Sequence, residues 1–178
     1  MRRLTTPRFR RALVVAVGVV LSFGDACADT HFAGKVVGIH DGDTITLLDM
    51  NLTQYRVRLA GIDAPEKGQA FGHVSQVHLS TLCYGKLVIA NCPKVDHYGR
   101  QVCTVFVDSV DVNLAQVAAG FAWHYKRFVH EQPAHEGEAY AKAEDAARNA
   151  KVGLWQDRDP VPPWEWRSLR RMLPVLKW

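Results

Sequence analysis

Nine consecutive residues, Arg58-Leu59-Ala60-Gly61-Ile62-Asp63-Ala64-Pro65-Glu66, put a guanidinium, two carboxylates and a stiffened turn side by side. Proline fixes its own φ and pushes the residue before it, Ala64, towards extended backbone. A turn of this kind holds carboxylates and a carbonyl in a set arrangement, as a hard cation with oxygen ligands requires. Read alone, the stretch is equally an edge strand followed by a solvated acidic turn. Two further segments carry reactive side chains. His40-Asp41-Gly42-Asp43-Thr44 is a tight Asp-Gly turn entering a strand, with Gly42 allowing the bend. Asp96-His97-Tyr98-Gly99-Arg100 is a loop in which Gly99 lets the backbone turn. Each of these by itself is an ordinary turn. The other histidines of the chain beyond its leader, at 31, 40, 73, 78, 124, 130 and 135, show no HExxH or comparable spacing, which argues against a zinc or histidine-based site.

The elements that must carry these turns follow from periodicity. In Tyr55-Arg56-Val57-Arg58-Leu59, residues 55, 57 and 59 point one way and 56 and 58 the other, as a strand demands. Strands are predicted over 32–39, 43–48 and 53–59, joined by turns short enough for an antiparallel meander. The period changes over 69–83, where Phe71, Val74, Val77, His78 and Leu82 fall at helical spacing up to Gly85. Two more strands are expected over 87–92 and 102–107. A short helix over 114–119 is capped by Asn113, and a longer one over 136–150 is terminated by Gly153. The tail 161–178 is rich in Pro, Trp and Arg. It cannot be regular helix at its prolines, and Trp164 and Trp166 are expected to pack back on the domain as anchors. The predicted fold is mainly β: a five-stranded barrel of the OB type with about three helices, spanning 29–160.

Bulk properties narrow the setting. A chain of 178 residues that is 48% apolar builds one domain with a sizeable core. Residues 1–28 read as a secretory leader: arginines at 2, 3, 8, 10 and 11, an apolar run over 12–21, and Ala26-Cys27-Ala28 as the cleavage pattern. Without them the chain carries 17 basic and 17 acidic residues, so the whole net charge of +4 belongs to the leader. Anion binding must then come from local placement of charge. Of Cys83, Cys92 and Cys103, the last two flank a hairpin loop and are the preferred disulfide pair in an oxidising compartment, the alternative being three buried thiols.

Taken together and in order, Asp-Gly-Asp-Thr, Arg-Leu-x-Gly-Ile-Asp-x-Pro-Glu and Asp-x-Tyr-Gly-Arg on this strand pattern resemble the micrococcal (thermostable) nuclease family over residues 35–155. Gln69-Ala70-Phe71-Gly72, Gly120-Phe121-Ala122-Trp123 and Gly153-Leu154-Trp155 look like its secreted bacterial branch. The resemblance implies one Ca²⁺ ion held by Asp43, Asp63 and the backbone carbonyl of Ala64, a position where the family often has Thr. It implies that Glu66 orients or deprotonates the attacking water and that Arg58 and Arg100 bind the phosphate. Asp41 steadies the metal site behind its ligands, and Tyr98 lies near the phosphate. Family tyrosines fall about where Lys126 and Phe128 stand, so Tyr125, Lys126 and Trp123 become the candidates for contacting the base. The implied activity is exported, Ca²⁺-dependent endonucleolytic hydrolysis of DNA and RNA to 3′-phosphate products, in the periplasm or outside the cell. No lasting membrane association is expected once the leader is removed, and a monomer is the default. The competing expectation is a non-catalytic OB module that binds nucleic acid or protein. Such a module could lose Glu66 or Asp43 without harm, yet both are present with both arginines.

Overall fold

The computed structural model describes residues 30–172, so the expected leader lies outside the described residues. Strands β1 (Thr30–Ile39), β2 (Thr44–Asp49) and β3 (Gln54–Leu59) form the meander, within one or two residues of the predicted bounds. A two-residue strand, β4 (Ile62–Asp63), and helix α1 (Gly72–Cys83) follow. Next come β5 (Leu87–Val95), β6 (Gln101–Val107), the short β7 (Val110–Asp111) and helix α2 (Val112–Ala118). The chain ends in β8 (Trp123–His124), α3 (Ala134–Ala150) and α4 (Pro163–Met172), with 3₁₀ turns at Lys126–Glu131 and Gly153–Gln156.

Neighbours in the order β3-β2-β1-β5-β6 pair antiparallel, and a parallel pairing of β3 with β6 closes the ring. This is the expected five-stranded OB barrel. Strand β1 reaches both neighbours because it curls: its first half pairs with β5 and its second with β2, past an irregularity between Val36 and Gly38. Strand alternation then sends Val36, Ile45, Leu47, Val57, Leu59, Val88, Ala90 and Val105 into one buried core. Asn113 fastens the closure. Its amide donates to the carbonyls of Ala60 and Cys103 at 3.0 Å each, and its oxygen accepts from Val105 N.

That use of Asn113 corrects its expected role. The cap of α2 is Asp111, whose carboxylate accepts from Leu114 N at 2.9 Å, while Asn113 is buried inside the helix. Helix α1 starts three residues later than predicted because Phe71, at φ 64°, breaks the helical backbone before it. Helix α3 stops at Lys151 in the left-handed region, ahead of Gly153. The tail makes a fourth α-helix after all: Pro163 sits at the first helical position, where its missing N–H costs nothing. Cys92 and Cys103 are bonded across β5 and β6, as preferred, and Cys83 is a free, buried thiol pushed up to about 12 by burial.

Candidate active site

The site is made where strands β2 and β3 run into the turn that carries β4. Asp43 and Thr44 lead β2, and Thr44 lies opposite Arg58 in the β2–β3 register, so the first two motifs share one end of the barrel. Leu59 N donates to the Asp43 carbonyl at 2.8 Å, which holds that end shut. Gly42 serves close packing more than bending, since its φ is not in the left-handed region. A Cβ there would meet Ser75 Oγ at 1.8 Å and the Ala64 side chain at 2.7 Å. The first motif is thereby pressed against α1 and against the Asp63–Glu66 turn.

Within this corner, Asp43 and Asp63 are both buried, at 5% and 1% exposure. Nη2 of Arg58 touches both, at 3.2 Å from Asp43 Oδ2 and 3.0 Å from Asp63 Oδ1. Nη1 of the same guanidinium donates to the carbonyls of Leu59 and Ile62, at 2.9 Å each. Ala64, whose carbonyl is the expected third ligand, donates its N–H to Asp43 Oδ2 at 2.7 Å. Asp41 accepts from Asp43 N at 3.0 Å and so fixes the backbone of that residue. Burial, and then the charge of Asp43, push the Asp41 carboxyl up to about 7. Burial likewise holds Asp63 above the usual carboxylate range, although Arg167 and Arg58 pull it down.

Two carboxylates buried side by side at one end of the barrel offer the oxygen donors that a divalent cation takes. Among the described residues no three His, Cys, Asp or Glu side chains form a complete cage. An ion here would therefore take the Asp43 and Asp63 carboxylates and complete its oxygen shell from backbone and water. With that restriction the donor set fits Ca²⁺.

Arg100 and Tyr98 occupy the β5–β6 hairpin. In the parallel β3–β6 pairing Arg58 lies opposite Val102 and Val57 opposite Gln101. Alternation carried back to residue 100 puts Arg100 on the same side as Arg56 and Arg58. Its Nε donates to Asp96 Oδ2 at 2.7 Å, and its guanidinium stands 5.3 Å from the centre of the exposed Tyr98 ring. Asp96 also accepts from the Tyr98 and Arg100 backbone amides. Against the cost of its burial, these bonds hold its carboxyl below the usual range. Thus Arg58, Asp43 and Asp63 form one bonded cluster, and Arg100, on the same face of the barrel, is held by a partner of its own.

A residue that sequence reasoning overlooked completes the cluster. Arg167 of α4 donates to Asp63 through both terminal nitrogens, at 3.2 and 2.7 Å, and to Glu66 Oε1 at 2.8 Å. Those bonds, led by the one to Asp63, keep its guanidinium firmly protonated. The available signal was a Pro-x-x-x-Arg segment with Trp164 three residues before Arg167, a spacing that shares one helix face.

Residues 56–157 match the family described as staphylococcal nuclease homologue. The chain belongs to that family. Among its relatives, a protein of Haemophilus influenzae named "uncharacterized endonuclease" is 37% identical over 92% of this chain and 88% of its own length. Another of that name, from Escherichia coli O157:H7, is 39% identical over 88% of this chain and 97% of its own. A "micrococcal nuclease" of Shigella flexneri is 38% identical over 88% of this chain and 91% of its own.

Within this family member, Tyr125 and Lys126 line a cleft of about 340 Å³ together with Trp123, Arg148, Glu144 and Trp164. Antiparallel pairing of β4 with β8 sets Asp63 opposite Trp123, so the cleft adjoins the carboxylate corner. Lys126 Nζ donates to the buried Glu144 at 2.7 Å, and Glu144 also accepts from His124 N and pairs with Arg148. Lys126 is therefore tied to the wall of the cleft, with part of its side chain in solvent. Tyr125 meets Phe128 edge to face at 5.3 Å, and the face of its ring is stacked by Trp164 at 5.4 Å. Tyr98 belongs to the hairpin and not to this cleft.

Proposed function

We propose that the chain is an exported, Ca²⁺-dependent endonuclease that hydrolyses phosphodiester bonds of DNA and RNA, in the periplasm or outside the cell. One observation carries the reading: a single guanidinium, Arg58, joins two buried aspartates, Asp43 and Asp63, at the barrel end that also presents Glu66. A barrel that merely binds polymer has no need to bury two carboxylates side by side around one guanidinium.

Bound at Asp43 and Asp63, Ca²⁺ would neutralise charge on a phosphate oxygen and orient water. Glu66 accepts a proton from that water as its oxygen attacks phosphorus. The bond to the 5′-oxygen breaks, that oxygen takes up a proton from solvent to leave as a hydroxyl, and a 3′-phosphate remains on the other product. Negative charge grows on the non-bridging oxygens during attack, and both arginines answer it with charge-assisted bonds, Arg100 through the two terminal nitrogens that Asp96 leaves free. Asp96 aims Arg100, while the Leu59 and Ile62 carbonyls aim Arg58. Stretches with accessible bases, single-stranded or fraying, are the favoured substrate, because Tyr125 and its cleft can take a base only once it is unpaired.

Incubation of the purified chain with heat-denatured DNA, with Ca²⁺ or with chelator, tests the reading. Digestion that requires Ca²⁺ and disappears in Glu66→Gln and Arg100→Ala is expected. Tight binding of DNA with no cleavage at any Ca²⁺ level would instead identify a binding module. Among the described residues no helix is long and apolar enough to cross a membrane.

A further inference from the structure

Helix α4 lies beyond residues 56–157, the span that matches the family, and yet it reaches into the site twice. Arg167 engages both oxygens of Asp63 and one of Glu66. One turn earlier, Trp164 covers the Tyr125 ring at 5.4 Å with the planes 22° apart, and meets Trp123 edge to face at 5.6 Å. Residues three apart share a helix face, so a single docked helix delivers both groups. A guanidinium between two carboxylates is where positive charge from a metal would go. An indole stacked on a tyrosine is where a base would go.

We infer that α4 is an internal strap that stands in for both cation and base. Arg167 competes with the divalent ion for Asp63 and occupies one oxygen of Glu66, and Trp164 holds the stacking face of Tyr125. The inference rests on the proposed role of Asp43 and Asp63 as cation ligands. Asp63 Oδ1 accepts from both Arg58 and Arg167 and Oδ2 from Arg167, three of about four acceptor sites, so a docked Arg167 opposes an ion at Asp63 by occupancy and by charge.

How the helix is held supports release. Apart from Arg167 and the Trp164 ring contacts, its anchors are few: Gln69 Nε2 donates to the Val161 carbonyl at 2.6 Å, Pro163 is buried, and Trp166 is half-buried. The indole N–H of Trp166 is buried without a partner among the described residues, a cost that undocking removes. Leu169, Arg170, Arg171 and Met172 are exposed on the outer side. Gln69 also accepts from Glu66 N at 3.1 Å, so the turn that carries Glu66 and the segment that leads into α4 are coupled.

Calorimetric titration of Ca²⁺ into the full chain without substrate tests this directly. Arg167→Ala should bind Ca²⁺ at least about tenfold more tightly than the wild type, the shift expected if the undocked form is about a tenth of the population or less. Arg170→Ala removes the same charge from the same helix without touching a carboxylate, and should shift affinity far less. Equal shifts in the two variants would mean a general charge effect and overturn the strap. Hydrogen exchange on the unaltered protein gives a second readout that needs no variant: saturating Ca²⁺ should raise exchange of the 164–172 amides relative to chelator, and unchanged protection overturns the strap. Ca²⁺ binding that is equal in wild type and Arg167→Ala, and lost in Asp63→Asn, overturns the strap while leaving the metal reading intact. No Ca²⁺ binding in any form overturns both.

Discussion

Two arginines reach the same carboxylate, Asp63, from opposite parts of the chain, and they are held in opposite ways. Arg58 rises from a barrel strand, is locked by two backbone carbonyls, and leaves 16% of its side chain in solvent. Arg167 comes from the last helix, has 40% of its side chain in solvent, and its bonds go to the carboxylates of Asp63 and Glu66. The first is part of the frame and the second is an occupant. A guanidinium fixed by its own scaffold is ready to meet charge that develops in a transition state. One held only by the groups it neutralises leaves when a better cation arrives.

Activity should separate the two most sharply. Arg58→Lys keeps the charge but loses the planar fork. It should lower kcat by about 10²–10³-fold, comparable to losing one oxyanion donor. Glu66→Gln should cost roughly 10²–10⁴-fold as a lost general base. Both are read from initial rates on single-stranded DNA at saturating Ca²⁺. Arg167→Ala should show no such loss, and a matching fall in kcat would erase the contrast between frame and occupant.

Stability in chelator sharpens the same contrast on a smaller scale. Arg58→Ala strands the buried Asp43, while Asp63 keeps Arg167, and should cost about 3–5 kcal/mol by urea unfolding, the usual consequence of removing one partner from a buried pair. Arg167→Ala removes a pair that solvent already screens, and should cost no more than about 1 kcal/mol. Equal costs would place the two arginines in the same class.

The disulfide belongs to the frame. It ties β5 to β6 just below the hairpin that carries Asp96 and Arg100, closing a separation of 11 residues. Replacing Cys92 and Cys103 by Ala should lower stability by about 2–3 kcal/mol under oxidising conditions. Hydrogen exchange of α4 should be unaffected, because the helix is not fastened there. Cys83, smallest in effect, should stay unlabelled by a thiol reagent at neutral pH until the protein unfolds, since its thiol is buried and its pKa is pushed to about 12.

Much of this was legible in the chain because it is local. Alternation along 55–59 requires a strand with Val57 and Leu59 inside and Arg58 outside, and the burial of those residues follows it. The Asp-Gly-Asp turn and the Ile-Asp-Ala-Pro-Glu turn are short, stiff and adjacent to strands, so their carboxylates arrive at a barrel end wherever the barrel forms. Other features depended on partners far away. Asn113 looked like a cap because helix-capping is a nearest-neighbour rule, and its actual partners at Ala60 and Cys103 exist only once β3 and β6 have met. Glu144 gave no signal on an exposed-looking helix, since its burial beneath Lys126 and Arg148 is a matter of how α3 lies against β8.

What the amino-acid sequence determined by itself was the barrel and the identity of its reactive corner, because strand period, turn stiffness and the types of the side chains act within a few residues of one another. What only the tertiary structure decided was which cation sits there in the resting chain. Arg167 and Asp63 are 104 positions apart. The Pro-x-x-x-Arg pattern can start the helix, but its docking, with Trp164 over Tyr125, is a long-range contact that no local pattern encodes.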